Sequence, residues 1–117
     1  MRMTEVEYPN ATPIDSYGPG FFRIDGQVWN DGVAILPQAI SRWDGFGDWE
    51  AILAASADYD VLFVGTGAEI APIPTADRAI LDAADIAYEP MATPAACRTY
   101  NVLLSEGRRV AAVLIPV

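Results

Sequence analysis

Residues 86–115 read IAYEPMATPAACRTYNVLLSEGRRVAAVLI, and this segment predicts a strand, a helix and a second strand in succession. Thr93 and Pro94 mark the start of the helix, because a capping residue followed by proline at the first helical position is a strong start signal. Gly107 is well placed to end it, since glycine readily takes the left-handed conformation after a last turn. The predicted elements are a strand over residues 86–88, a helix from residue 93 to 105 or 106, and a strand over residues 110–115.

The preceding segment, residues 61–84, shows the same alternation of strand and helix. Val61-Leu62-Phe63-Val64 is a continuous apolar run, which is typical of a strand buried on both faces. Gly65-Thr66-Gly67 ends this strand, and Thr75 can cap a helix that runs to about residue 84. Strands that alternate with helices predict a sheet that is at least partly parallel.

The N-terminal third predicts short strands joined by tight turns. Residues 1–16 are polar and rich in proline, asparagine and aspartate, so we expect an N-terminal arm, followed by a single α/β domain over residues 17–117. Turns at Asp25-Gly26 and Asn30-Asp31-Gly32 predict a three-stranded meander. The meander strands are residues 21–24, 28–29 and 33–36, and Asp48 is the predicted cap of a short helix over residues 49–56.

The composition excludes several classes of chemistry. The chain has 16 acidic residues, seven arginines, no lysine and no histidine, for a formal net charge of −9. Without histidine, serine–histidine–aspartate catalysis, cysteine–histidine catalysis and histidine-ligated metals are excluded; without lysine, so are Schiff bases. Nucleic acid is not an expected partner, because its binding requires a basic surface. We therefore predict no catalytic residue, no metal site and no cofactor.

The sequence shows no membrane-spanning run and no targeting signal. No segment approaches the ~18 apolar residues that span a bilayer, so direct membrane insertion is not expected. Met1-Arg2-Met3-Thr4-Glu5 lacks both the apolar core of a signal peptide and the arginine-rich character of a transit peptide. The single cysteine, Cys97, fits a reducing compartment. We expect a soluble, cytoplasmic protein.

Two chain segments are candidates for binding an anion. Gly65-Thr66-Gly67 follows a buried strand at the end where open α/β sheets bind ligands, and its glycines would let backbone N–H groups approach an anion closely. Thr93 begins a helix, and the N-terminus of a helix favours negative charge. The alternative is a turn whose glycines serve only steric needs.

The predicted helix after Thr93 also carries a polar stripe. At 100° per residue, Arg98 and Asn101 project away from the apolar positions, and Arg108 follows the helix end. Arginine is favoured at interfaces and asparagine offers both donors and acceptors, so a recognition surface is one interpretation and a solvated face the other. Cys97 is interpreted as structural, since the chain has no histidine to act as its base.

Segments 63–67, 89–103 and 106–112, which read FVGTG, EPMATPAACRTYNVL and EGRRVAA, together resemble a known family. It is the small single-domain family that includes mitochondrial respiratory complex I assembly factor three and mostly uncharacterised bacterial and archaeal proteins. The resemblance extends from about residue 14 to residue 116. Ala92 departs from it, because an acid is common at that position.

The resemblance implies a three-layer α/β fold of the Mth938-like type, with a mixed central β-sheet, flanking helices and an N-terminal β-meander. It also implies no established enzymatic activity, and protein partners from membrane-complex assembly or insertion that would bring the protein to the inner membrane. The first hypothesis is a non-catalytic interaction protein resembling an assembly factor. The alternative is a binder of a small anion or nucleotide, including an enzyme, that uses Gly65-Thr66-Gly67 and Thr93.

Overall fold

The computed structural model describes residues 5–7 and 11–117, and gives the backbone alone for residues 5–7. The strands are β1 (Glu5–Glu7), β2 (Ile14–Gly18), β3 (Phe21–Ile24), β4 (Gln27–Asn30), β5 (Val33–Leu36), β6 (Ala39–Arg42), β7 (Val61–Thr66), β8 (Tyr88–Met91) and β9 (Val110–Ile115). The helices are α1 (Glu50–Ala54), α2 (Thr75–Ala83) and α3 (Thr93–Ser105), with a 3-10 turn at Ser56–Asp58 after α1.

The central sheet has six strands in the order β1-β6-β5-β9-β7-β8. Strand β7 pairs in parallel with both β8 and β9, whereas β5 pairs antiparallel with β6 and β9, and β1 pairs antiparallel with β6. Strand β9 therefore lies between the antiparallel and the parallel parts of the sheet. This arrangement confirms the predicted mixed sheet.

The protein has three layers, with the central sheet in the middle and an apolar core on each of its two faces. Phe63, Ala112 and Leu114 face the core beneath α3 and the smaller sheet, where Tyr100 and Phe22 are fully buried. The opposite core includes Trp43, Trp49 and Ile52, together with Leu62, Val64 and Leu81. The predicted three-layer architecture is confirmed, because successive side chains of the central strands point alternately into the two cores.

The smaller sheet is a meander, but its strands differ from the predicted set. It has the order β2-β3-β4, and residues 33–36, predicted as its third strand, instead form β5 of the central sheet. All four residues of β5 are buried, so this strand requires cover on both faces, which a sheet on the protein surface does not give. Residues 33–36 therefore form a strand as predicted, but the prediction that this strand belongs to the meander was wrong.

Strands β1 and β2 come from the segment predicted as an N-terminal arm. β1 pairs with β6, and the boundary predicted between residues 16 and 17 falls inside β2. The predicted arm thus provides β1 to the central sheet and the first residues of β2 to the smaller sheet. Residues 1–4 and 8–10 of the arm, including much of the stretch examined for a targeting signal, lie outside the described residues.

Helix α1 is shorter than predicted, and Asp48 does not cap it. The Asp48 carboxylate accepts the backbone N–H of Asp44 at 2.9 Å and so closes the preceding loop. A second carboxylate, Asp77 on α2, is buried and accepts both the backbone N–H of Gly47 and the indole Nε1–H of Trp49 at 2.7 Å. The loop before α1 is therefore held by hydrogen bonds to α2, and no side chain caps the start of α1.

Helix α2 and strand β8 also differ from prediction in detail. The Thr75 side chain does not cap α2; its hydroxyl accepts a hydrogen bond from Arg78 at 3.2 Å. The strand expected at residues 86–88 begins at Tyr88, because Ile86 is buried in the core beside Leu81 and its N–H donates to the Leu81 carbonyl. Within residues 5–7 and 11–117, no helix is both long and apolar enough to cross a bilayer.

Candidate functional site

The Gly65-Thr66-Gly67 turn and the start of α3 meet in the structure and bond directly to each other. The Gly67 N–H donates to the Thr93 hydroxyl at 2.9 Å, and the Thr93 N–H donates to the Gly67 carbonyl at 2.8 Å. The same hydroxyl donates to the Ile115 carbonyl at 2.6 Å. One fully buried side chain therefore joins the ends of β7 and β9 to the start of α3.

Gly65 allows this close approach. A Cβ atom at Gly65 would lie 2.8 Å from the Thr93 hydroxyl and 2.8 Å from Leu114 Cδ2, closer than packed side chains tolerate. The Thr66 hydroxyl lies 2.8 Å from the Glu69 carbonyl and 3.1 Å from that of Met91, and it accepts the N–H of Ala71. The glycine therefore serves helix–sheet packing, and the threonine stabilises the loop after β7.

The hydrogen bonds at Thr93 change the chemistry expected of the helix start. Thr93 was expected to cap α3, but it is the first residue of that helix and its hydroxyl bonds elsewhere. Pro94 has no N–H, and the N–H groups of Gly67 and Thr93 already have acceptors. An anion bound by the N–H of Gly67 or Thr93 would have to displace these internal bonds. The role of Gly65, Thr66, Gly67 and Thr93 in ligand binding stays a prediction.

Asn101 holds the first strand of the small sheet against α3. Its Oδ1 accepts the N–H of Ile14 and its Nδ2 donates to the carbonyl of the same residue, both at 2.8 Å. The Asn101 side chain therefore gives the Ile14 backbone the two hydrogen bonds that a neighbouring strand would otherwise provide. The two residues are 87 positions apart in the sequence. Asn101 is half-buried, whereas the helical pattern placed it on the open face with Arg98.

The Tyr100 side chain binds the backbone just before Ile14. Its hydroxyl donates to the Thr12 carbonyl at 2.9 Å, and burial raises the pKa of this phenol well above its usual value. Helical spacing places Tyr100 on the side of α3 opposite Arg98, and it is fully buried. Two consecutive side chains of α3 thus bind consecutive segments of the N-terminal chain.

A groove at the end of α3 contains two of the residues predicted to bind a partner. Asn101 and Arg108 line this α3-end groove, whose volume is about 420 Å³, together with Ala11, Pro13 and Leu104. Its lining is largely apolar, and Arg108 is exposed. Ala11, Pro13 and Leu104 could not be selected from local sequence patterns, because only the folded chain brings residues 11–13 beside residue 104.

Arg98 does not line the α3-end groove. It is exposed on α3 and lines a shallow groove of about 350 Å³ with Thr99, Val102 and Leu103. Arg98 and Arg108 therefore line separate grooves.

The neighbouring Arg109 is engaged in an ion pair. Its guanidinium lies 2.8 Å from the Asp60 carboxylate, and this hydrogen bond holds the pKa of Asp60 below its usual value. Both side chains are more than half exposed, so the pair contributes little to stability. Arg109 is thus less available to a partner than Arg108, whose guanidinium has no ion pair within the part of the chain that the structure describes.

Cys97 is buried against the core, and burial raises the pKa of its thiol to about 11 although Arg98 opposes the shift. We expect the native protein at pH 8 to react with iodoacetamide roughly a hundredfold more slowly than the urea-unfolded chain, because the thiolate is the reactive form. Alkylation followed by mass spectrometry measures both rates, with Cys97→Ser as the blank. Equal rates in the two states would contradict a structural cysteine.

No group of histidine, cysteine, aspartate and glutamate side chains that could hold a metal ion is found among the described residues. The candidate site consists of hydrogen-bonded loops and surface grooves. Its predicted members fall into three places: the joined turn and helix start, the α3-end groove, and the exposed side of α3.

The family model described as a protein of unknown function, DUF498/DUF598, matches residues 14–115. The chain belongs to the DUF498/DUF598 family. An uncharacterised protein of Rhodobacter capsulatus is 47% identical over 116 residues, covering 99% of this chain and 94% of that protein. NADH dehydrogenase (ubiquinone) 1 alpha subcomplex assembly factor 3 of Danio rerio is 38% identical over 123 residues, covering 99% of this chain and 71% of that protein. These matches confirm the family suggested by the motifs.

Solved structures of similar chains confirm the fold. The crystal structure of a protein of Bartonella henselae, described as an outer membrane protein, superposes with a TM-score of 0.85 at 37% identity, covering 94% of this chain and 98% of that one. The solution structure of an Mth938-like domain of Bordetella pertussis superposes with a TM-score of 0.70 at 25% identity, covering 99% of this chain and 92% of that one. The expected Mth938-like architecture is therefore confirmed.

Proposed function

We propose that this protein acts by binding other proteins, as an assembly factor does, and carries out no reaction of its own. The observation that carries the proposal is the bonding between Gly67 and Thr93, whose N–H groups serve each other's oxygen atoms. A small-anion site of the kind expected at that turn would need those donors free. The family includes complex I assembly factors, which favours a protein partner over a small ligand.

The α3-end groove is the binding site that suits this function. Leu104, Pro13 and Ala11 give it an apolar lining, and Arg108 adds a positive charge on a protein whose net charge is −9. This combination favours a segment of a partner that carries an apolar side chain next to a carboxylate, since arginine binds carboxylates through two parallel hydrogen bonds. We propose a component of membrane-complex assembly or insertion as that partner, which would also recruit the protein to the inner membrane.

Affinity capture from native lysate tests this site. Arg108→Glu reverses the charge beside the groove, so we expect at least a fivefold loss of the captured partners, quantified by mass spectrometry against the parent protein. Arg23→Glu is the matched control, because Arg23 is also exposed and lies on β3 away from the groove. An unchanged partner set with Arg108→Glu would contradict the proposal.

A thermal-shift screen separates protein binding from the alternative of a small ligand. Inorganic phosphate, nucleotides and small carboxylates at millimolar concentration are expected to leave the melting temperature of the parent unchanged, because the donors at Gly67 and Thr93 are already bonded. A reproducible upward shift with any of them would support the alternative function.

A further inference from the structure

The exposed side of α3 carries a row of three side chains that no part of the described structure covers. Arg98 and Val102 lie on α3, and Glu106 directly follows its last residue. The three are spaced at intervals of four residues, which places them on one side of the helix. All three are exposed, and Val102 keeps 55% of its surface accessible. The half-buried Thr99 and Leu103 flank the row and form the shallow groove beside it. We name this row with its two flanking residues the α3 outer surface.

The two charges on the α3 outer surface cannot satisfy each other. Arg98 and Glu106 are eight residues apart, which places them about 12 Å apart along the helix axis. The ion pairs of the described residues are Arg42–Asp44 and Arg109–Asp60, so neither of these two charges is paired there. Each end of the row thus presents an unpaired charge of opposite sign.

The row is complementary to itself, because Arg98 and Glu106 stand four residues on either side of Val102. When two copies of α3 pack antiparallel about a two-fold axis at Val102, each Arg98 lies opposite the other copy's Glu106. The axis then brings the two Val102 side chains together. A two-fold contact repeats every interaction, so the contact between the two helices contains two ion pairs and an apolar centre.

We propose that this protein forms a symmetric dimer through the α3 outer surface, with a second copy of the same chain as the occupant. This inference goes beyond the proposed function and uses a different surface from the α3-end groove. Two copies of net charge −9 repel each other over most of their surfaces. The row carries one charge of each sign, so two copies that meet at this face attract each other there. A single helix face is smaller than a standard interface, so the dimer dissociates readily and its affinity falls with added salt.

Sedimentation equilibrium of the purified chain, over concentrations that reach the millimolar range, tests the dimer. We expect the parent to show a concentration-dependent dimer, and Arg98→Glu to raise its dissociation constant at least tenfold, because two attractive pairs become two repulsive ones. Arg23→Glu makes the same change of charge on β3 and is expected to stay within about threefold of the parent.

Two reciprocal variants make the test specific for this geometry. The double variant Arg98→Glu/Glu106→Arg restores both pairs in reversed sense, and it is expected to dimerise within about threefold of the parent. The single variants Arg98→Glu and Glu106→Arg are each expected to be monomeric alone and to form a heterodimer when mixed. Improper folding of a variant could not produce that result, and circular dichroism verifies each fold.

A parent that remains monomeric over the whole concentration range would overturn the proposal. So would a dimer that Arg98→Glu weakens no more than Arg23→Glu does, or a mixture of single variants that stays monomeric. Because the lysate experiment uses Arg108 and the dimer experiment uses Arg98 and Glu106 in purified protein, either proposal can fail while the other stands.

Discussion

Thr93→Val is expected to lower the free energy of unfolding by about 3 kcal/mol, although the two side chains have nearly the same size. The substitution removes the acceptor of the Gly67 N–H and the donor to the Ile115 carbonyl. Buried groups left without a partner cost roughly 1–3 kcal/mol each. Urea unfolding followed by tryptophan fluorescence measures the loss, since Trp43 and Trp49 lie in the core.

Two variants separate the hydroxyl from the methyl group of Thr93. Thr93→Ser keeps the hydroxyl and is expected to recover most of the stability. Thr99→Val makes the same change on the same helix at a half-buried side chain, and it is expected to change the free energy of unfolding by less than about 0.5 kcal/mol. If Thr93→Val were as stable as Thr99→Val, this hydroxyl would not be what joins the two sheet ends to α3.

Asn101→Ala is expected to cost about 2 kcal/mol and to loosen β2 more than the rest of the protein. The variant leaves both the N–H and the carbonyl of the buried Ile14 without their partner. Hydrogen exchange measured by mass spectrometry is expected to show faster exchange in residues 14–18, while peptides from β9 keep their protection at low denaturant.

Asn101→Asp sharpens this test, because aspartate keeps an acceptor for the Ile14 N–H but turns an oxygen toward the Ile14 carbonyl. We expect it to recover little of the lost stability. Ser105→Ala, an exposed position on the same helix, is the control and is expected to leave β2 protected. Unchanged exchange of residues 14–18 in Asn101→Ala would show that other contacts hold this strand.

The elements with strong local signals could be predicted from sequence. The strand at Val110–Ile115 matches in both type and bounds. The helix that ends at Ser105 matches in type, but it begins at Thr93, one residue before the proline predicted to be its first residue. The apolar run of β9 and the Thr93-Pro94 pair carry these signals within a few residues. Gly107 ends α3 as expected and has a φ of 81°, a backbone conformation that suits glycine.

Other elements depend on partners that are distant in sequence. Residues 33–36 look like a hairpin strand locally, and only pairing with β9, far along the chain, assigns them to the central sheet. Asn101 has the periodicity of a surface residue, and its role follows from Ile14, 87 residues away. Local pattern cannot report such pairs, because a single sequence does not show which distant backbone groups lack a partner.

The candidate site follows the same division. The association of Gly65-Thr66-Gly67 with a helix N-terminus could be anticipated, because both lie at the same end of parallel strands. The hydrogen bond from the Gly67 N–H to the Thr93 hydroxyl could not be anticipated, since it depends on the close approach which Gly65 permits. The self-complementary spacing of Arg98 and Glu106 was visible in the sequence, but its significance needed both residues to be exposed.

The position of β9 in the sheet has a consequence for how the protein forms during translation. The ribosome synthesises β9 after β1 to β8, yet β9 is the strand that joins β5 to β7. Until it emerges, the β5–β6 pair and the β7–β8 pair have no strand between them, and their apolar edges are open to other chains. These strands are therefore expected to be prone to pairing with other chains until β9 is synthesised and takes its place between them.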